Sequence, residues 1–301
     1  MNIIFCGDRN VVRPIAVGVS TLVRHSRVPS ELRITLLTYG WSSHDITVIR
    51  RAAESAHVEQ IECSRHRLPD VSSGRHVTPA AYLMLMIPEL LDDRLERAIY
   101  LDSDLLVRTD IRPLYDTDLQ GLTTAGTRAG SRPFIGSPGT YPAWRQLGLD
   151  PAAPVVNTGV LVLDLDKWRR QQIGQRALRF AESMGRRMRW ADQGALNAVL
   201  QGEWAPIHHK WNATSGVFED DKGLFAVEHR HVIEEARSDP AIVHFTGPAK
   251  PWMHHVERDY VDEWRRASSA IGWTPWLERR STKVVLSRIK KRIHHRLQAG
   301  E

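Results

Sequence analysis

The chain has 301 residues, 42% of them hydrophobic and 25% charged, with a formal charge of +6; this ordinary globular composition excludes collagenous, low-complexity and disulfide-framework classes. Residues 279 to 298 hold eight Lys or Arg and no acid, so the remainder carries −2 and a nucleic-acid-binding body is excluded. Cys6 and Cys63 match no metal spacing and fit a reducing compartment. No apolar run is long enough for a signal peptide or a membrane span, which predicts a cytoplasmic protein.

Asn2 to Cys6 reads as a strand and Gly7 to Asn10 as a polar turn. Val12 to His25 reads as a helix with Ile15, Val19, Leu22 and Val23 on one face. Arg33 to Tyr39 and Val58 to Cys63 are further strands, with a helix from Asp45 to Ala56 between them. The alternation predicts a doubly wound α/β domain. In such sheets a nucleotide lies at the first turn, but Gly-x-Gly-x-x-Gly is missing here. Asp8 and Asn10 either meet a base or ribose through side chains or cap the helix that follows. Pro79 to Leu91 is predicted helical and leads into the strand Arg97 to Leu101. A glycine-rich stretch after Tyr115 is long enough to be a substrate-facing insertion. Val155 to Leu163 is a buried strand interrupted by Asn157-Thr-Gly159, where the glycine marks close approach of a ligand or another backbone. Helices are predicted over Asp166 to Met184 and Ala191 to Leu200, and a late strand over Ala241 to Phe245.

The chemistry concentrates at the end of the strand Arg97 to Leu101. A strand buried on both faces ends in Asp102 and Asp104, and the apolar run resumes at Leu105. Residues two apart in extended chain point to one side, so both carboxylates can reach one divalent cation, which offsets their desolvation. The bland reading is a capped turn. His244, at another strand end, is a candidate third ligand. With open positions the O/N set fits Mn²⁺ or Mg²⁺ better than structural Zn²⁺. Gly247 and Lys250 follow, a bare backbone and an ammonium suited to a pyrophosphate.

Tyr100-Leu-Asp-Ser-Asp104, Asn157-Thr-Gly-Val160, Asp192-Gln193 and His244-Phe-Thr-Gly-Pro-Ala-Lys-Pro-Trp252 occur in the order and spacing that resembles the family 8 glycosyltransferases. These are retaining enzymes that include bacterial lipopolysaccharide galactosyl- and glucosyltransferases and glycogenin. The resemblance covers roughly residues 1 to 255, and its most specific part is the element from His244 to Trp252. It implies a GT-A α/β fold, Rossmann-like, with a mostly parallel mixed central sheet. It also implies Mn²⁺ (or Mg²⁺) held by Asp102, Asp104 and His244, with Asp102 also near the ribose. A UDP-sugar donor would be held by Gly247 and Lys250 at the diphosphate and by Asp8 and Asn10 at the uridine. Asn157 and Asp192 would bond the donor sugar, with Thr158 beside them. Gln193 would lie beneath the anomeric carbon, so Asp192 and Gln193 are the candidate catalytic pair. A glutamine is a poor nucleophile, which leaves both front-face substitution and a covalent intermediate open.

Three positions depart from the pattern. Met84 falls where the family has an arginine facing the donor. Thr127 or Arg128 falls where it has an acid touching the sugar, and Arg128 is a candidate for replacing the missing positive charge. Gly194 follows Asp192-Gln193 in place of an acid.

Domain boundaries are expected at 1–277 for the transferase domain and 278–301 for a basic tail. Leu286, Ile289, Ile293 and Leu297 recur at helical spacing among basic residues, the pattern of an amphipathic helix on anionic lipid at the inner membrane face. The acceptor is expected to be a glycan or a lipid-linked hydroxyl compound, met by the loop from Arg128 to Pro142 and the segment from Asn212 to Arg230. Two alternatives stand beside hexosyl transfer. One is a non-catalytic sugar-nucleotide-binding or scaffold protein, which binds UDP without turnover. The other is a different metal-dependent phosphate enzyme, which releases inorganic phosphate.

Overall fold

A computed structural model of the protein describes residues 1–64, 79–141, 144–219 and 222–274. The strands are β1 (Asn2–Asp8), β2 (Arg33–Tyr39), β3 (His57–Glu62), β4 (Arg97–Leu101), β5 (Leu105–Val107), β6 (Thr124–Arg128), β7 (Val156–Asp164), β8 (Ala205–Pro206) and β9 (Ile242–His244). Seven of them form one sheet in the order β3-β2-β1-β4-β7-β6-β8. β1 pairs in parallel with β2 and β4, β2 with β3, and β6 with β8, whereas β7 runs antiparallel between β4 and β6. The result is an α/β fold with a mostly parallel mixed sheet.

Alternation along β1 explains how both faces fill. Ile3 and Phe5 join a core under α1 (Val12–His25) and α2 (Ser43–Ala53). Ile4, between them, joins the opposite core with Tyr100, Leu161, Leu163 and the buried Trp168. A period of two sends neighbours to opposite faces, and each fully buried Ile or Leu contributes about 1.5–3 kcal/mol. The α1 and α2 pair closes off with Ser42, whose hydroxyl and Asp45 form a reciprocal capping box.

The second face is covered by α5 (Leu165–Arg170), α6 (Ile173–Met184) and α7 (Ala191–Leu200); two short helices, α3 (Ile87–Leu90) and α4 (Arg112–Tyr115), come earlier in the chain. Two elements differ from the sequence expectation. The stretch from Asp166 to Met184 is not one helix but α5 and α6, because Gln172 takes a left-handed φ of 52° between them. Pro79–Met86 is a 3-10 helix that turns into α3 at Ile87. The remaining helices are α8 (Ser215–Phe218), α9 (Lys222–Phe225), α10 (Arg230–Ser238) and α11 (Val261–Ala270). Among the described residues no helix is long and apolar enough to cross a membrane. The basic segment 279–298 lies outside the described residues.

Candidate functional site

β4 ends at Leu101, and the chain leaves the main sheet through Ser103 to form a separate two-stranded ribbon, β5 against β9. The register of that antiparallel ribbon sets Leu105 opposite His244. Asp104 therefore lies beside the last residue of β9, and its carbonyl accepts the Phe245 N–H at 3.0 Å. Asp102 is tied to β7 instead, its N–H donating to the Gly159 carbonyl at 2.8 Å. Two strand pairings thus bring residues 140 positions apart to one point, and Asp102, Asp104 and His244 each offer a ligand atom within 4.8 Å of the others.

His244 Nε2 is 3.2 Å from Asp104 Oδ1 and 3.6 Å from Asp102 Oδ2. The ring packs against β7, where Gly159 is required: a Cβ there would lie 2.0 Å from His244 Cε1. The close approach marked by Asn157-Thr-Gly159 is that of the imidazole. Asp104 and His244 are buried, while Asp102 is partly open to the cleft. Burial pushes the Asp104 carboxyl up, but His244 and Lys250 outweigh it and hold it well below the usual range. Lys250 also donates to the Phe245 carbonyl at 2.9 Å. Burial and then the neighbouring Asp104 charge raise the Asp102 carboxyl. Tyr100 relieves part of this, its hydroxyl donating to Asp102 Oδ1 at 2.7 Å. Two crowded carboxylates and a lone-pair nitrogen form a donor set that fits a divalent cation.

Around this point a cleft of about 780 Å³ runs along the carboxyl edge of the sheet. Its walls include Asp8, Asn10, Asn157, Thr158, Asp192, Gln193, Gly247 and Lys250, so the expected donor and catalytic residues share one cavity with the three candidate ligands. Asp8 does two things: its Oδ1 accepts the Asn10 N–H at 2.9 Å, capping the turn, and it faces the cleft. Gly247 lines the cleft with a φ of +81°, a conformation open to glycine without strain.

Asp192 and Gln193 open α7. Gln193 Oε1 lies 3.4 Å from the Thr158 N–H. Burial, and then the Asp102 charge, push the Asp192 carboxyl up to about 8, although the Thr158 hydroxyl bonds to it. Asn197 clamps α7 to β7, accepting the Val156 N–H at 2.7 Å and donating to the Val156 and Gln193 carbonyls. Trp190 and Ala191 both take positive φ, 58° and 43°, at the start of the helix. Positive φ at non-glycine residues costs of order 1 kcal/mol or more each and recurs where a binding site needs an unusual turn. Gly194 belongs to the same turn, since a Cβ would lie 2.1 Å from the Arg189 carbonyl oxygen. No acid fits there.

The other departures resolve differently. Met84 is fully buried in the core under α7, and it is Ala80 and Ala81 that face the cleft. Arg128 points to Glu228, with Nε 3.0 Å from Oε1, and lies over the Phe134 ring. It is not a wall residue, whereas Arg132, four positions on, is. Thr127 donates no charge; its Oγ1 accepts from Asn212 Nδ2 at 3.0 Å. Of the expected acceptor segments, Ala129 to Arg132 and Thr214 to Gly216 line the cleft.

Sequence reasoning set Asn212 only at the edge of an acceptor segment and Tyr100 only inside a motif, and missed the contacts both make at the candidate ligands. Asn212 is fully buried at the end of a 3-10 helix, His209–Asn212, which runs beside β9 through an Ala213–Val243 bridge. Its Oδ1 is 2.8 Å from His244 Nδ1 and its Nδ2 is 2.9 Å from Asn157 Oδ1. Nothing in the local sequence around Trp211-Asn212 signals this contact, which depends on the packing of three elements.

The family model "Glycosyl transferase family 8" matches residues 2–255. General stress protein A of Bacillus subtilis is 27% identical over 278 residues, which cover 91% of this chain and 94% of that protein. The glycosyltransferase GlyE of Streptococcus pneumoniae is 24% identical over 83% of this chain, which spans only 56% of that protein. Among solved structures, the galactosyltransferase LgtC in complex with donor and acceptor sugar analogs shares the fold, with a TM-score of 0.72 at 23% identity over 90% of this chain and 96% of that one.

Proposed function

From the premise that the chain belongs to glycosyl transferase family 8, we propose that it transfers a hexose from a UDP-sugar to a hydroxyl acceptor, with retention and with Mn²⁺ or Mg²⁺. The observation that carries this reading is the gathering of Asp102, Asp104 and His244 in one cleft with Asp192, Gln193 and Lys250. Asp102, Asp104 and His244 hold the cation, which when bound neutralises charge on the departing diphosphate as a Lewis acid. Lys250 sits at Asp104 and adds a second positive charge for the same phosphates. Asp8 and Asn10 hold the nucleoside end. Asn157, Thr158 and Asp192 position the donor sugar, whose anomeric carbon becomes oxocarbenium-like as the bond to UDP breaks. The Gln193 amide lies beneath that carbon as an electrostatic partner, and its weak nucleophilicity favours attack of the acceptor from the leaving-group face.

The acceptor is a glycan or lipid-linked hydroxyl compound. The basic tail, 278–301, places the 1–277 domain at the anionic inner face of the membrane, within reach of such lipids. The test is to incubate the purified protein with Mn²⁺ and a panel of UDP-hexoses without acceptor and to measure UDP and free sugar. Hydrolysis of one donor, lost with EDTA and in Asp104→Ala, is expected. A protein that neither hydrolyses any donor nor binds UDP in a metal-dependent way overturns the reading.

A further inference from the structure

The cleft wall carries four carboxylates, Asp8, Asp102, Asp104 and Asp192, and two cationic side chains, Lys250 and Arg132. Lys250 pairs with Asp104 and the Phe245 carbonyl and is assigned above to the diphosphate. Arg132 differs: among the described residues no carboxylate lies within ion-pair distance of it. Its guanidinium is nevertheless held in place. The carbon Cζ lies 4.9 Å from the centre of the Trp190 ring, itself a wall residue, and Nε donates to the Pro138 carbonyl at 3.1 Å. A guanidinium stacked on an aromatic face and anchored through Nε keeps its two terminal nitrogens in fork geometry for an oxyanion. Arg128, at the end of β6, makes the contrast, because Glu228 neutralises it.

The topology says which substrate meets this fork. β1, β4, β7 and β6 are consecutive neighbours, and β6 runs parallel to β1 and β4 because β7 is antiparallel to both its neighbours. The end of β6, and the loop through Arg132, therefore lies on the same sheet edge as Asp8 but about 14 Å, or three strand spacings, away. Asp8 and Asn10 mark the nucleoside end, and Asp102 to Asp192 lie between. The Arg132 end is left for the molecule that approaches the sugar.

We propose that Arg132, oriented by Trp190, is a specificity residue that selects an acceptor bearing a carboxylate or phosphate close to its reacting hydroxyl. This rests on the transferase reading above and narrows its acceptor class. The fork makes charge-assisted bonds to the oxyanion.

The test compares phenyl β-glucuronide with phenyl β-glucoside, which differ only in the carboxylate, by saturation-transfer NMR on the full chain with Mg²⁺, with and without UDP. The glucuronide is expected to bind about tenfold tighter, the scale of one charge-assisted bond. Arg132→Ala should erase that difference and Arg132→Lys should keep part of it, with UDP affinity and melting temperature of both variants reported alongside. Equal binding of the two probes, or a preference that survives in Arg132→Ala, overturns the proposal. A second arm measures UDP-glucuronate against UDP-glucose: if Arg132→Ala weakens only the former, the oxyanion belongs to the donor and the acceptor assignment is wrong. Failure of UDP itself to bind counts against the transferase reading and leaves the glucuronide comparison to be scored on its own.

Discussion

Nδ1 of His244 lies 2.8 Å from Oδ1 of Asn212, and a chain of backbone and amide contacts fixes what that means. The Gly159 N–H donates to Asn157 Oδ1 at 3.0 Å, so that oxygen is the acceptor. Asn157 Oδ1 then takes the Asn212 Nδ2 hydrogen at 2.9 Å, which turns Asn212 Oδ1 toward the imidazole. An amide oxygen only accepts, so Nδ1 carries the hydrogen and Nε2 points its lone pair at Asp102 and Asp104. An outer partner of this kind sets both the tautomer and the orientation of a ligating histidine.

Asn212→Leu removes that outer partner at nearly constant volume. Mn²⁺ affinity, read by electron paramagnetic resonance titration without substrate, should fall by about 10–100-fold. The loss of buried hydrogen bonds should also lower stability by about 1–3 kcal/mol. Unchanged Mn²⁺ affinity alongside lowered stability would mean that Asn212 serves packing alone.

Gly159→Ala tests the same ring from the other side. The added methyl would lie 2.0 Å from His244 Cε1, so the imidazole must move off β7. Overpacking of this sort costs about 1–3 kcal/mol. Mn²⁺ affinity should fall together with the melting temperature, and a variant that keeps full affinity would show that the ring need not rest on the strand.

Asp192 gives the cation-free protein a pH dependence of definite sign. Its folded pKa is raised to about 8 by burial and by Asp102, against about 3.9 in the unfolded chain. Below about pH 3.9 both states are protonated and the group is neutral in its effect. As pH rises toward 8 the unfolded chain loses its proton while the folded one keeps it, so stability falls, then levels off once the folded carboxyl ionises. Melting temperatures in EDTA should therefore decline more steeply between pH 5 and 8 for the native chain than for Asp192→Asn. Parallel pH profiles would contradict the raised value.

Arg128→Ala should leave UDP affinity unchanged, because the side chain is paired with Glu228 and does not line the cleft. Glu228 retains His209, 3.6 Å away, which is the first cause of its lowered pKa. The expected cost is therefore about 1 kcal/mol of stability. Calorimetric titration with UDP decides the point; weakened binding would restore Arg128 to the donor site.

Removal of residues 279–301 tests the tail. The full chain should sediment with liposomes rich in anionic lipid, at about 1 kcal/mol per basic side chain near the surface, and the truncated chain should stay in the supernatant. Equal sedimentation of both would sever the tail from the membrane.

Most of the fold and the three candidate ligands could be read from the chain itself, for a physical reason. Strands and helices buried on one or both faces repeat their apolar residues at periods that sequence displays, and α1 and α7 match their predicted spans at both ends. Asp102, Asp104 and His244 are legible because acids and an imidazole at the ends of buried strands are chemically out of place without a ligand. The break at Gln172 was not legible, since a left-handed residue inside an otherwise amphipathic run leaves the apolar spacing nearly intact. Side-chain direction was also hidden. Met84 and Arg128 occupy positions that a linear pattern assigns to the cleft, yet core packing claims one and Glu228 the other. Asn212 and Arg132 lie in the two segments expected to meet the acceptor, but nothing in those segments singles out either side chain. Their roles come from which neighbours the tertiary structure supplies: a histidine, an asparagine and a threonine around one, and a tryptophan ring beneath the other.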